Sequence, residues 1–369
     1  MDVIAYVNQM IECAVRKEAS DIHIEPIRDS VRIRHRIDGY LIEVDQLSRQ
    51  EEPALLSRLK VMGNLDIGER RKPQDGAMSI EAHGQQLEIR FSTIPTLHGE
   101  KMVLRLLYQK EKYLGLSDLG MTEKQTKQMS RLMQQSGLIV VTGPTGSGKT
   151  TSLYALLHQL NTPDVNIVTL EDPIELQIPG VNQVQVGSKF GLSFAQGLRA
   201  ILRQDPNIIM IGEIRDSETA ENAIGAALTG HLVLTTLHTQ DSASAITRLL
   251  DMGIAPYLVA AACKGVLTQR LVRTYCSYCQ GSGCDSCHLT GYQGRIGVFE
   301  ILEIEETIRQ LILERASVDK VRSTYHQLGI STLVDRLFQL VDQKITSLEE
   351  VYRVLPYEPK KEISYSLDR

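Results

Sequence analysis

Apolar residues at Val3, Ile4, Val7, Ile11 and Ala14 recur at helical spacing, so the chain opens with an amphipathic helix ending near Lys17. The period then changes to two. Ile22 and Ile24 alternate with Asp21, His23 and Glu25, and Val31, Ile33, His35 and Ile37 alternate with Arg32, Arg34, Arg36 and Asp38. Asp38-Gly39 predicts a tight hairpin into a strand from Tyr40 to Val44. A helix, a charged loop from Glu69 to Gly76, and strands near 87–94 and 101–107 complete a first domain, 1–107. Pro95 and Gly99 mark the turn between those strands. Its class is α+β, unlike a nucleotide-binding sheet. Residues 108–120 have little periodicity and contain Gly115 and Gly120; they read as a linker and hinge.

Beyond it, a helix over 123–136 leads to the apolar run Leu138 to Val141, a buried strand. Apolar strands near 166–170, 208–211 and 232–237 then alternate with helical stretches, the order of a parallel α/β sheet, in a domain over 121–275. A cysteine-rich knuckle, 276–295, and a helical region, 296–369, follow. In the latter Ile308, Leu311 and Ile312, then Leu333, Leu337 and Leu340, keep packing periodicity, and 347–354 is a final helix. The last dozen residues are polar and read as a frayed end.

Composition adds few constraints. The 369 residues suffice for two or three domains, and 42% hydrophobic and 23% charged residues are ordinary for a globular protein. A net charge of −5 and a pI near 6.0 provide no global field toward DNA or anionic lipid, so no direct nucleic-acid contact is expected. No secretory signal opens the chain and no stretch resembles a membrane span, which makes the cytoplasm the expected compartment. Four of six cysteines crowd between Cys276 and Cys287, which suits a metal site better than a disulfide framework.

The chemistry centres on Gly143-Pro144-Thr145-Gly146-Ser147-Gly148-Lys149-Thr150-Thr151, a complete P-loop between a strand and a helix expected to begin near Thr151. Its glycines let backbone N–H groups face phosphate, Lys149 reaches the β/γ-phosphates, and Thr150 offers a hydroxyl to Mg²⁺. Glu171, Asp172 and Glu175 cluster at a strand end, placed either to meet Mg²⁺ or attacking water or to cap a loop. Glu213, the first carboxylate beyond the 208–211 strand, is assigned as the base that positions water. Gly212 stands where many P-loop proteins carry Asp, leaving Mg²⁺ to Thr150, phosphate oxygens and water. His231 and His238 bracket the 232–237 strand as γ-phosphate sensors or as structural residues. By spacing alone the row Arg32, Arg34, Arg36 reads as a solvated face rather than a phosphate clamp. Cys276, Cys279, Cys284 and Cys287 have the C-x₂-C-x₄-C-x₂-C pattern of a closed four-thiolate structural Zn²⁺ site, with redox pairs or incidental cysteines as the alternative and His288 as a competing ligand.

Four motifs in order, GPTGSGKTT, LEDPIE, IIMIGEIRD and GHLVLTTLHT, closely resemble the ATPases that power type II secretion and type IV pilus assembly. SDIHIEP, VRIRHRIDG, RRKPQDG, STIPTLHGEK, ITRLLDMGI and QRLV extend the likeness through nearly the whole chain. The resemblance implies a RecA-like P-loop domain behind a smaller α+β, PAS-like domain, and a homo-hexameric Mg²⁺-ATPase whose ring drives an inner-membrane platform protein and, through it, pseudopilins. It implies peripheral location at the cytoplasmic face of that membrane. It makes Arg34, Arg36 and Arg70 or Arg71 the nucleotide clamp, reversing the reading of the arginine row. Arg199 and Arg203 match family arginines, Glu171, Asp172 and Glu175 the acidic box, Glu213 the catalytic glutamate, and His231 and His238 the histidine box. A compact chain that keeps the tetracysteine motif looks like the ATPase of the Gram-positive competence pseudopilus, used in DNA uptake. Type II secretion and pilus extension are the alternatives within the family; a DNA-translocating ring and a nucleotide-gated scaffold are the rivals outside it.

Overall fold

Asp2 starts the first helix, α1 (Val3–Arg16), by accepting hydrogen bonds from the backbone N–H groups of Ile4 at 3.0 Å and Ala5 at 3.2 Å. The structure, a computed structural model, describes residues 2–83, 85–108, 115–187 and 191–355. They divide into two units, Met1–Lys112 and Tyr113–Arg369.

In the first unit, β1 (Asp21–Pro26), β2 (Ser30–Ile37), β3 (Tyr40–Ser48), α2 (Glu52–Met62), β4 (Gln74–Ala82), β5 (Gln85–Thr96) and β6 (Gly99–Tyr108) follow α1. The sheet is antiparallel in the order β3-β2-β1-β6-β5-β4. Asp38 (φ 49°) and Gly39 (φ 87°) form the expected β2–β3 hairpin. Ile22, Ile24, Ile33, Phe91 and Leu104 share a core with Val7, Ile11, Leu55 and Leu59 from the two helices. The charged loop expected over 69–76 ends early, because Gln74 already pairs with Thr93 in β4. This strand was illegible because its side chains alternate between exposed and half-buried, with little apolar signal.

The opposite sheet face is a charged grid. Cross-strand register sets Asp21 beside Arg36 and Arg105, and His23 beside Arg34 and Val103. Alternation predicted a wet face here, yet all six β1 residues are buried. Long basic side chains from neighbouring strands cover the acids.

The second unit continues with α3 (Glu123–Leu132), β7 (Gly137–Thr142), α4 (Lys149–Leu160), β8 (Ile167–Glu171), β9 (Asn182–Gln185), α5 (Phe194–Ile201), β10 (Ile208–Ile211), α6 (Ser217–Leu228), β11 (Leu232–Leu237), α7 (Ser242–Asp251), α8 (Pro256–Ala262) and β12 (Cys263–Tyr275). It closes with β13 (Tyr292–Glu303), α9 (Glu306–Leu313), α10 (Val318–Gln327), α11 (Leu333–Asp342) and α12 (Leu348–Val354). The sheet order is β13-β12-β7-β11-β10-β8-β9, parallel except for β13. Both faces are covered, so β7, β10 and β11 are buried throughout, as apolar parallel strands require.

Three boundaries differ from expectation. Leu116, Leu119 and Met121 are buried in the second unit's core, and Gly297 N–H donates to the Leu119 carbonyl at 2.9 Å, so the end of the supposed hinge is anchored. The rest of it, 109–114, lies outside the described residues, as do 358–369. α3 stops at Leu132 rather than Ser136, before a polar Gln-Gln-Ser-Gly run. The cysteine knuckle is the tip of the β12–β13 hairpin, and 296–303 is strand rather than helix. Here strand pairing decided against the local sequence.

Candidate functional site

A cavity of about 400 Å³ opens at the carboxyl ends of β7, β8, β10 and β11, where parallel sheets bind ligands. Thr145, Gly146, Gly148, Lys149, Thr150 and Thr151 line one side; Glu171, Asp172, Glu175, Glu213 and His238 line the other. The helix α4 begins at Lys149, two residues earlier than expected, with Gly148 (φ 86°) as its cap. Its first N–H groups therefore open on the cavity.

Two glycines are sterically required. A Cβ on Gly143 would lie 2.5 Å from the Gln269 backbone carbonyl oxygen, and Gly148 holds a left-handed φ of 86° with the Gln269 side-chain Nε2 2.9 Å from where a Cβ would stand. Pro144 and Ser147 do not line the cavity; the Ser147 N–H donates to the Pro144 carbonyl at 3.3 Å within the loop. Lys149 Nζ donates to the carbonyls of Gly143 (2.9 Å) and Pro144 (3.0 Å). Burial lowers its pKa, the Glu213 charge raises it and Arg270 lowers it again. The ammonium thus rests on neutral acceptors that phosphate oxygens can replace.

Glu213 faces this loop. Burial pushes its carboxyl up, but the hydrogen bond and charge of Arg215, with His238, prevail and hold it below the ordinary range. It pairs with Arg215, and its Oε2 is 3.1 Å from His238 Nε2. Glu213 is therefore an ionised acceptor at neutral pH.

The other acids separate by role. Both oxygens of Glu171 are engaged: one accepts from Tyr154, the other from Thr169 Oγ1 (2.6 Å) and Gln183 Nε2 (3.0 Å). This buried carboxylate fixes α4 to β8. Asp172 and Glu175 are exposed at the cavity mouth.

The two histidines also part. His238 is in the cavity, whereas His231 precedes the other end of β11, roughly 20 Å away for a six-residue strand. There its Nδ1 contacts the Ala226 carbonyl at 2.9 Å and Thr229 Oγ1 at 3.2 Å, closing the turn after α6. Within this chain it does not share the cavity.

None of the candidate arginines lines it either. Arg34 and Arg32 pair with Glu25 (2.8 and 3.0 Å), and Arg36 approaches Asp21 at 3.6 Å. Arg70 borders a separate cavity in the first unit with Glu52 and Glu100, and Arg71 donates its backbone N–H to Glu69. Arg199 pairs with Glu218, and Arg203 donates to the Arg199 carbonyl at 2.8 Å. The cavity instead holds Arg295 and Leu271, and is buttressed by Gln269, whose Oε1 accepts from Ser152 Oγ at 2.8 Å. QRLV was the only sequence signal for this wall, and its role needs the register that runs β12 past the end of β7.

The four knuckle cysteines fit a tetrahedral metal. Their sulfurs all lie within 4.8 Å, with Cys276–Cys284 at 3.9 Å and both Cys279–Cys287 and Cys284–Cys287 at 3.7 Å. Zn–S bonds of about 2.3 Å imply edges of about 3.8 Å. Backbone N–H groups of Gly283, Cys284 and Gly291 donate to Cys279 or Cys287 sulfur at 3.2–3.3 Å. Burial raises the Cys287 thiol, but the Cys284 and Gly291 N–H groups and the Cys279 and Cys284 sulfurs bring it down to about 6. The cluster is formed without His288.

No helix among the described residues is long and apolar enough to cross a membrane. Residues 1–353 match the family model described as "Type II/IV secretion system protein". The chain is 46% identical to type II secretion system protein HxcR of Pseudomonas aeruginosa, over 95% of this chain and 77% of that protein. It is 42% identical to the type IV pilus assembly ATPase TfpB of Acinetobacter baylyi, over 96% of this chain and 66% of the relative. Among solved structures, the pilus retraction motor PilT with bound ADP superposes with a TM-score of 0.67 at 28% identity, covering 95% of this chain and 97% of the other. A P-loop facing an ionised glutamate across one cavity, together with these matches, places the chain in the type II/IV secretion system protein family, the secretion ATPases.

Proposed function

We propose that this ATPase binds Mg²⁺-ATP in the cavity at the strand ends and acts as a homo-hexameric motor at the cytoplasmic face of the inner membrane. There it drives a polytopic platform protein and, through it, the assembly of a pilin-like filament. The observation that carries this reading is Lys149 on replaceable carbonyls opposite the ionised Glu213. The backbone N–H groups of Gly146 to Thr151 and Lys149 hold phosphate, Thr150 offers its hydroxyl to Mg²⁺, and Glu213, oriented by His238 and Arg215, accepts a hydrogen bond from water. Mg²⁺ when bound neutralises phosphate charge.

Arg34 and Arg36 are proposed as the first unit's contribution. On their sheet face Arg32, Arg34, Arg36, Lys101 and Arg105 outnumber Asp21, Glu25 and Glu43, the last opposite Arg34, and so favour an anion. Cys276, Cys279, Cys284 and Cys287 hold a structural Zn²⁺ that closes the hairpin tip. The relatives' names support type II secretion or pilus assembly; competence DNA uptake is the narrower pathway we propose from the sequence.

A multiple-turnover phosphate-release assay with Mg²⁺-ATP tests the reading. Steady turnover that Lys149→Ala abolishes is expected; no turnover in the wild-type chain, or full turnover in the variant, would overturn it.

A further inference from the structure

We propose that Arg270 is a positioning residue for ATP hydrolysis, holding the loop that carries His238 and tying it to the C-terminal helix α12. The proposal rests on the ATPase reading and adds a residue that touches no reacting atom.

Arg270 lies on β12, next to Gln269, and is 4% exposed. Strand alternation turns it to the face opposite Gln269. Its guanidinium donates to three main-chain carbonyls: Gln240 at 2.6 Å, Gln269 at 3.0 Å and Val354 at 3.2 Å. Balancing negative charge comes from Asp241 and Glu300 at longer range. Those acids have nearer partners, Arg322 for Asp241, and Ser242 with the Leu333 N–H for Glu300. Burying such a cation costs several kcal/mol of desolvation, so bonding it to three carbonyls makes a rigid joint rather than a strong attraction.

The three carbonyls belong to three parts of the machine. Gln269 flanks the phosphate loop. Gln240 lies two residues beyond His238, whose Nε2 is 3.1 Å from Glu213 Oε2. Val354 ends α12, which Glu350 also fixes to β12 through Arg273. Between His238 and Gln240, Thr239 exchanges bonds with Thr142 at the end of β7: its carbonyl accepts from Thr142 Oγ1 at 3.0 Å and its N–H donates back at 3.2 Å. The histidine loop is therefore pinned first to the P-loop strand at Thr239 and second to Arg270 at Gln240, with Asp241 beyond it held by Arg322. Without the second pin His238 loses its fixed distance to Glu213, while the phosphate cradle keeps its own supports.

The test compares full-length Arg270→Lys and Arg270→Met with the wild type. An ammonium cannot span three carbonyls, so Arg270→Lys should lower kcat about tenfold while KM and ADP affinity stay within about twofold. Amide hydrogen exchange at 239–241 should quicken. Glu350→Gln, which loosens α12, should lower kcat less, and should add little to Arg270→Lys in a double-mutant cycle. Wild-type kcat and exchange in Arg270→Lys would overturn the proposal, as would activity and ADP affinity falling together with the folded fraction in both variants. If the wild type itself does not turn over ATP, the ATPase reading fails, while exchange at 239–241 still reports whether Arg270 holds the loop.

Discussion

The two sheets use charge in opposite ways. In the first unit, acids and bases face one another across neighbouring strands: Glu25 accepts from Arg32, Arg34 and Lys101, and Asp21 lies between Arg36 and Arg105. Burial pushes Glu25 up, but the three cations bring its carboxyl down to about 2. In the second unit the charges stand at strand ends around a cavity. Lys149 is held by neutral carbonyls, and Glu213 by the half-exposed pair His238 and Arg215. Acids enclosed by cross-strand cations serve the fold; cationic charge in excess of them, or charge held by replaceable partners, is available to a ligand.

Breaking the second arrangement should give the largest effect, on activity alone. Glu213→Gln is expected to lower kcat by roughly 10²–10³, while ADP binding and the urea unfolding midpoint stay near wild type. Removing a buried carboxylate from its arginine partners should act mainly on stability, beside the smaller loss of kcat expected from loosening α12. Burial raises the Glu350 carboxyl, but Arg273, Arg353 and the Arg273 N–H hold it at about 2. Glu350→Gln should therefore cost about 3 kcal/mol at pH 7. Because the folded value lies below the unfolded one, that stability is present above about pH 4.5 and vanishes as pH falls through about 2. Wild-type and variant unfolding curves should converge over that window.

Glu25→Gln should show the same pH behaviour with a smaller cost, about 1–2 kcal/mol, because its cationic partners are partly screened by water. The smallest effect is expected at His231. His238→Ala should lower kcat about tenfold, whereas His231→Asn should stay within about twofold in phosphate-release rate. Equal losses at both would mean that the ends of β11 are not functionally distinct.

How much was legible depended on the range of the interaction. The P-loop reads from sequence because a strand, a glycine turn and a helix start are contiguous, and its geometry is local. Glu213 reads equally well as the first carboxylate after an apolar strand. Glu171 shares those credentials, yet tertiary contacts with Tyr154, Thr169 and Gln183 occupy both of its oxygens. The arginine row of β2 was visible as a row, but its pairing with Asp21 and Glu25 of β1 depends on which strand lies beside it. QRLV flags Gln269 and Arg270 as a family segment, but nothing in the local pattern marks the first as a wall of the cavity or the second as a joint behind it.

The chain's own order of residues determined the α/β class of the second unit, the phosphate loop, the carboxylate after β10 and the four-sulfur knuckle, because periodicity and short spacing encode contacts within a few residues. Tertiary structure alone decided which charges are free and which are spent, that His231 and His238 part company, and that the knuckle crowns a hairpin whose strand flanks the P-loop. Those outcomes depend on strand order and register, which bring together side chains far apart in sequence, such as Ser152 and Gln269, separated by 117 positions.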